Sequence, residues 1–551
     1  MARVSPENRK RVYRPKTRNG CLTCKSVRPF PDQIRRVKCG EERPSCARCT
    51  STGRRCDGYE EGTTPWLTSR LNPLMPRIVA QPRSVPSYGI FASDQERRSF
   101  QFFLAETAPQ LAGDFECASW ERLLLQSVHH EPAIRHITVA LGSLHENSGT
   151  SGTVGAHSFF ALNQYLRAMR CLMPVSGVSQ PLDVCLISCV LFTCFEAMRG
   201  HYGSATKHII GGLKILGELR TNVSSTSSLS VGRTPYVPID VLSGLFARLQ
   251  AQAMVSVEED AAAISNIWPE LVIDLNQPIV FNSLADAREM LEIHTYYYRQ
   301  RSTELRLQQQ NQSKQTESLD VALAIRPGSG IVTANPSAIT LRNISLSLLE
   351  RWSTALDDFL RKRGDSLTDR ERRGAAVLQL RKLDCFIPLA ILRGADEGVE
   401  TIGDHLRWDR YCPVFEQMVE QGESILKFSD AIPSFTKAQN FSLDLGIIGA
   451  MFNVASRCRD PVIRRRAVGV LRAASVQEGV WNSAVIARIA ERWIAIEEEG
   501  LVVCTCADVP AAARLSQFLP VFDPDQPSAL VYFSYSDEVD PGSVRMEVIY
   551  W

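Results

Sequence analysis

The chain has 551 residues, 44% hydrophobic and 22% charged, a soluble globular composition that exceeds one ordinary domain and can bury a sizeable core. Its net charge of +2 conceals an asymmetry: residues 1–60 hold sixteen Lys and Arg against six Asp and Glu, and that surplus of +10 leaves the remainder at about −8. A basic head on a mildly acidic body points to a polyanionic partner for the head alone.

Residues 1–20 read as a basic arm without ordered structure, densest in the run RKRVYRPKTR. Such a run suits a nuclear import signal, a phosphate-binding arm or both. The next segment, 21–59, holds six of the sixteen cysteines among Lys and Arg. Cys21 and Cys24 form one C-x2-C pair, Cys46 and Cys49 a second, and Cys39 and Cys56 each trail a pair. This is metal-site spacing. Disulfides are the competing reading, but the charged N-terminus lacks the apolar stretch that export requires, so the thiols are expected to stay reduced. A segment this small buries too little apolar surface to fold alone, so metal binding becomes its folding free energy.

These residues resemble the fungal Zn2Cys6 binuclear cluster family of transcription regulators. Cys39 to Cys46 spans six residues and includes Pro44, and both Cys46-x2-Cys49 and Cys49-x6-Cys56 fit; Gly20, Arg43, Gly53 and Asp57-Gly58-Tyr59 also look like the family. The resemblance implies two zinc ions, with Cys21 and Cys46 bridging. It also implies a short helix opened by the first pair, whose basic residues enter the major groove of double-stranded DNA and read a CGG-type triplet. By position these are Arg35 and Arg36, with Arg36 favoured because arginine forks onto guanine O6 and N7. Lys25, Lys38, Arg48, Arg54 and Arg55 are expected on phosphates. One departure is large: fourteen residues separate Cys24 from Cys39 where the family has six. Removing Ser26–Gln33 restores CLTCKIRRVKC. Pro29 and Pro31 disfavour helix, so the chain as written is expected to bind DNA poorly. The tract then reflects a misplaced splice boundary or retained intron sequence, with a genuine insertion as the alternative.

Residues 60–92 contain five prolines and no heptad repeat, which marks a linker without a coiled coil. Residues 93–500 read as a large all-α regulatory domain. Ser93-Asp-Gln-Glu96 is a capping box ahead of Phe100, Phe102, Phe103 and Leu104. Helical spacing recurs through Trp120–Leu125, Ile134–Leu141 and His157–Leu172, with SGTSGTVG between the last two as a loop. Leu182–Arg220 looks like the core of the regulatory domain that follows the cluster in this family. Its apolar run between Asp183 and Glu196 is too short for a membrane span and suits a buried helix. Cys185, Cys189 and Cys194 are then core thiols, and His129, His130, His201 and His208 are structural.

Asp240–Met254 reads as a helix, and the Gln-rich Arg299–Gln315 as an exposed helix end or loop. Leu349, Trp352, Leu356 and Phe359 or Leu360 form one stripe within Leu341–Arg361. Further helices are expected over Ala375–Arg393, Cys412–Phe428, Phe441–Ala455, Pro461–Ala474 and Ser483–Glu499. The tail, 501–551, differs: Ala529–Ser536 and Val544–Trp551 alternate about DEVDPG as a β-hairpin, while Cys504 and Cys506 are too isolated for a metal site.

The fold class expected is therefore mainly α, with a small zinc cluster domain, a linker, the helical domain and a terminal hairpin. The function expected is a nuclear, sequence-specific DNA-binding regulator of RNA polymerase II transcription, whose partners are DNA and the transcription machinery. Monomer and homodimer both stay open. A zinc-stabilised protein-interaction module is the alternative. No nucleophile elbow, H-E-x-x-H, P-loop or paired-carboxylate constellation suggests an enzyme.

Overall fold

The computed structural model describes residues 46–52, 89–115, 118–148, 154–173, 180–223, 235–253, 278–320, 336–391, 407–431, 440–523, 526, 528–535 and 544–551. The chain divides into two compact units, Met1–Ser84 and Val85–Trp551. The described residues are mostly helical, with two small sheets. No described helix is long and apolar enough to cross a membrane.

The larger unit opens at α1 (Asp94–Phe102), continued by a π-helical turn, Phe103–Thr107, and by Ala108–Leu111. Ser93 Oγ accepts the Glu96 amide at 3.2 Å, as a capping serine should. Glu96 reaches back to the amide of Ala92 (2.8 Å) and not to that of Ser93, and its other oxygen accepts from Gln164 Nε2 (2.7 Å). The cap thereby ties α1 to α4. The following helices are α2 (Ala118–His130), α3 (Pro132–Asn147), α4 (Val154–Leu172), α5 (Leu182–Met198), α6 (Tyr202–Val223) and α7 (Ile239–Ala253).

Helix α5 is apolar nearly all round and is correspondingly buried from Val190 to Ala197. Its Asp183 accepts the Tyr236 amide at 2.7 Å. Burial pushes the Cys189 thiol up to about 12 and the Cys194 thiol higher still. His208 shares a hydrogen bond with the Tyr165 hydroxyl (3.1 Å), and His130 stacks on Tyr236.

The second half carries α8 (Leu284–Asp320), α9 (Pro336–Arg363), α10 (Asp369–Ile391), α11 (Cys412–Ala431), β1 (Asn440–Ser442), α12 (Ile448–Arg457), α13 (Pro461–Ala474), β2 (Val476–Glu478), β3 (Trp481–Asn482) and α14 (Ser483–Glu497), ending in β4 (Leu515–Phe522), β5 (Ser528–Tyr535) and β6 (Val544–Tyr550). The Gln-rich stretch lies inside α8, and the stripe Leu349, Trp352, Leu356 and Phe359 is buried. Trp352 Nε1 donates to Ala287 O at 2.7 Å, which joins α9 to α8.

The helix expected over Phe441–Ala455 starts only at Ile448. Phe441 and its neighbours form β1, paired in parallel with β2. The cause is non-local: the Glu478 carboxylate accepts the amides of Gly446, Ile447 and Ile448 at 2.8, 2.8 and 3.2 Å and so fixes where α12 begins. The terminal hairpin forms as expected and gains a third strand, in the order β4-β5-β6. Pro520 obscures β4 in the sequence but is tolerated on an edge strand.

Two apolar clusters result, one built mainly from α1–α7 and one from α8 onward. They exchange residues. Phe441 and Leu443 sit in the first cluster, Phe115 and Tyr202 in the second. A polar seam runs alongside: Asp444 meets Arg288 (3.0 Å) and Arg248 (3.5 Å), Glu292 meets Arg381 (3.1 Å) and Arg248 (3.6 Å), and Arg373 pairs with Asp114. Gln252 Nε2 donates to Leu443 O (3.0 Å), and the Phe441 amide donates to Gln110 Oε1 (3.1 Å).

A second charge cluster locks the C-terminal helices. Glu497 is fully buried; its Oε1 accepts from Arg459 Nη2 (2.8 Å), Trp493 Nε1 (3.0 Å) and the Leu515 amide (2.8 Å), and its Oε2 accepts from Arg464 Nη2 (2.7 Å). Burial alone would raise this carboxyl, but Arg459 and Arg464 hold it below the usual carboxylate range.

Candidate metal and DNA-binding site

The described part of the cysteine-rich segment is the second C-x2-C pair. Cys46 is extended (φ −73°, ψ 141°) and caps a single helical turn, Ala47–Thr50. The Cys49 amide donates to Cys46 Sγ at 3.4 Å and to Cys46 O at 3.0 Å, and the turn closes with the Ser51 amide on Ala47 O (2.9 Å). An extended cysteine followed by one turn brings positions i and i+3 to the same side. Both cysteines are buried, whereas Ala47, Thr50, Ser51 and Thr52 are exposed.

Two buried sulfurs on one turn, with an amide aimed at the first, suit a tetrahedral thiophilic ion such as zinc. Cys46 and Cys49 would hold it, and the ion would supply cross-linking energy to the segment that carries them. Arg48 lies on the exposed turn between them, with its side chain outside the described residues. Cys21, Cys24, Cys39, Cys56, Lys25, Arg35, Arg36, Lys38, Arg54 and Arg55 also lie outside the described residues, as does the tract Ser26–Gln33. Among the described residues, no group of three or more His, Cys, Asp and Glu is arranged to hold a metal.

In the helical unit, His129 is held below the ordinary histidine range by burial and by His130 and Arg135, and His201 stands 3.8 Å from Glu196. These contacts are structural. What sequence reasoning missed is a convergence of thiols: Cys506, beside the exposed Cys504, lies next to Cys412, whose sulfur is 3.9 Å from that of Cys458. Each is ordinary in its own stretch; the packing of α11 on α12 brings Cys412 to Cys458, and the 3-10 turn Cys506–Asp508 adds the third.

Comparison with known proteins points to transcription regulation. The chain is 25% identical to the aspercryptin biosynthesis cluster-specific transcription regulator atnN of Emericella nidulans, over 599 aligned positions that cover 91% of each chain. It is 29% identical to the transcription regulator lscL of Purpureocillium lilacinum over 252 positions, 42% of this chain and 58% of that one. A stretch of 44 residues, 8% of this chain and 7% of the relative, is 46% identical to the transcriptional regulatory protein moc3 of Schizosaccharomyces pombe. No family model matches, and no solved structure matches significantly. The curated relatives are fungal transcription regulators, which supports a transcription-regulatory role for this chain.

Proposed function

We propose that this chain is a nuclear, sequence-specific DNA-binding regulator of RNA polymerase II transcription that reads CGG-type sites through a binuclear zinc cluster. The observation that carries the reading is the buried Cys46–Cys49 turn within a basic segment of six cysteines. Cys21, Cys24, Cys39, Cys46, Cys49 and Cys56 hold two zinc ions, Arg36 with Arg35 contacts bases, and Lys25, Lys38, Arg48, Arg54 and Arg55 meet phosphates. The acidic helical unit carries regulation and contacts to the transcription machinery.

The test is metal analysis of the full chain beside a gel-shift titration against salt. Two zinc ions per chain, a salt slope and discrimination between CGG-type and random DNA are expected. One zinc or none would sink the binuclear cluster, and equal affinity for all sequences would leave a zinc-stabilised interaction module.

One observation favours a second reading. The tract Ser26–Gln33 carries Pro29 and Pro31 between Lys25 and Arg36. Lengthening that loop from six to fourteen residues costs under about 1 kcal/mol of closure entropy, against roughly 10 kcal/mol or more from structural zinc. In this reading metal binding survives while the helix that aims Arg36 breaks, and the protein as written is a regulator impaired in DNA binding.

A further inference from the structure

We propose that Cys412, Cys458 and Cys506 form an oxidisable thiol cluster, in which a hydroperoxide oxidises Cys506 and Cys412 captures it as a disulfide. Three separate segments supply the sulfurs. Cys412 opens α11, Cys458 caps the C-terminus of α12, and Cys506 opens the 3-10 turn Cys506–Asp508. Cys412 Sγ lies 3.9 Å from Cys458 Sγ, and the Cys412 and Cys506 thiols are near enough to influence one another's titration. The geometry is held from outside the cluster. Arg514 forks onto Asp409 with two 2.8 Å bonds and donates to Cys506 O at 2.8 Å, so the 3-10 turn is clamped beside the residues that lead into α11. Thr505 and Asp508 close that turn with a capping box.

Access is graded across the three. Cys458 is buried, Cys412 and Cys506 are half-buried, and Cys504 beside them is exposed. An oxidant from solvent therefore meets Cys506 before Cys458. The Cys506 thiolate attacks the O–O bond of the hydroperoxide; sulfur takes one oxygen as sulfenic acid and the other leaves as water or alcohol. The Cys412 thiolate then attacks that sulfur, hydroxide leaves and takes up a proton as water, and a Cys412–Cys506 disulfide forms. Two thiols have given two electrons to one peroxide. Cys458 stands close enough to displace Cys506 from Cys412 by thiol–disulfide exchange, which returns Cys506 as a thiol and leaves a buried Cys412–Cys458 bond.

Burial, helped by Asp409 and Cys412, pushes the Cys506 thiol up to about 11. A thiol so raised is almost wholly protonated at pH 7, so Cys506 reacts slowly with peroxide. Either disulfide pins α11 to a neighbouring segment of the helical unit.

The experiment treats the full-length, zinc-loaded protein with hydrogen peroxide, alkylates the remaining thiols and maps peptides by mass without reductant. Peptides joining Cys412 to Cys506 or to Cys458, released by dithiothreitol, are expected. Cys412→Ser should abolish both links, and Cys506→Ser should abolish the Cys412–Cys506 link and slow the appearance of Cys412–Cys458 several-fold. Cys412 recovered alkylated while Cys504 is oxidised would overturn the proposal, as would an unchanged rate in Cys506→Ser. If Cys412→Ser does not fold, Cys506→Ser, at a half-buried turn position, decides alone.

Discussion

Replacing Glu497 by glutamine keeps the size of the side chain and removes its charge. Arg459 and Arg464, which donate to Glu497 at 2.8 and 2.7 Å, are each essentially inaccessible to solvent. Breaking a buried pair by removing one partner costs about 3–5 kcal/mol, because the remaining charge has no water to return to. The glutamine nitrogen also turns a donor toward donors on one side of the group, which adds to that cost. The unit Val85–Trp551 has an unfolding entropy of about 1 kcal/mol/K, at roughly 2.1 cal/mol/K per residue. Glu497→Gln should therefore lower the melting temperature by about 3–5 °C. Differential scanning calorimetry at pH 7 reads this directly, with Glu547→Gln as the control. Glu547 pairs with Arg492, whose side chain is 44% exposed, so that change should cost under about 1 kcal/mol and shift the melt by under about 1 °C. If Glu497→Gln melts within the control's range, the cluster is not holding α12, α13 and α14 together in the way described.

The same carboxyl gives a pH prediction: its folded value lies below the unfolded 4.5, so its contribution is complete above about pH 4.5 and is lost as pH falls through the folded value. The parent's melting temperature should drop more steeply below about pH 4.5 than that of Glu497→Gln, as parallel melts would show. Trp352→Phe leaves the buried Ala287 carbonyl without its 2.7 Å donor and should cost about 1–3 kcal/mol by denaturant titration, with little change in DNA binding. Arg36→Ala should lose roughly 1–3 kcal/mol on a CGG-type site and relax specificity, whereas Arg54→Ala should weaken all sequences alike; equal losses for Arg36→Ala on specific and random DNA would count against base reading. Deleting Ser26–Gln33 should strengthen specific binding in a gel shift. Equal binding with and without the tract, together with a transcript that retains it, would overturn the splice-boundary reading.

Most helices were legible because their apolar spacing and caps are local. Pro461–Ala474 agrees at both ends, since Asp460 accepts the amides of Val462 and Ile463 at the start (2.9 and 3.0 Å) and Ser475 turns left-handed (φ 44°) at the end. The errors fall where a distant residue decides. Nothing near Phe441 announces that Glu478 will cap α12, and β2 and β3 are too short to show an alternating pattern. Asp444 and Glu497 are buried by arginines that arrive from elsewhere in the chain, which no local pattern announces. At the candidate site, the C-x2-C spacing already places Cys46 and Cys49 on one side of a single helical turn. The thiols at 412, 458 and 506 could not be read this way, because their proximity belongs to tertiary packing.

The exchange of residues between the two apolar clusters bears on how the helical unit can be divided. A cut between Ala253 and Pro278 would leave one fragment without Phe441 and Leu443, and would leave the other with those side chains uncovered and its Asp444 and Glu292 without Arg248. Neither piece carries a finished interior. Two such fragments should be insoluble or molten when made separately and should recover native helix packing when refolded together, the behaviour of complementing fragments rather than of autonomous modules. If the helical unit carries regulation as proposed, a change among α1–α7 should be felt among α8–α14 through the shared clusters.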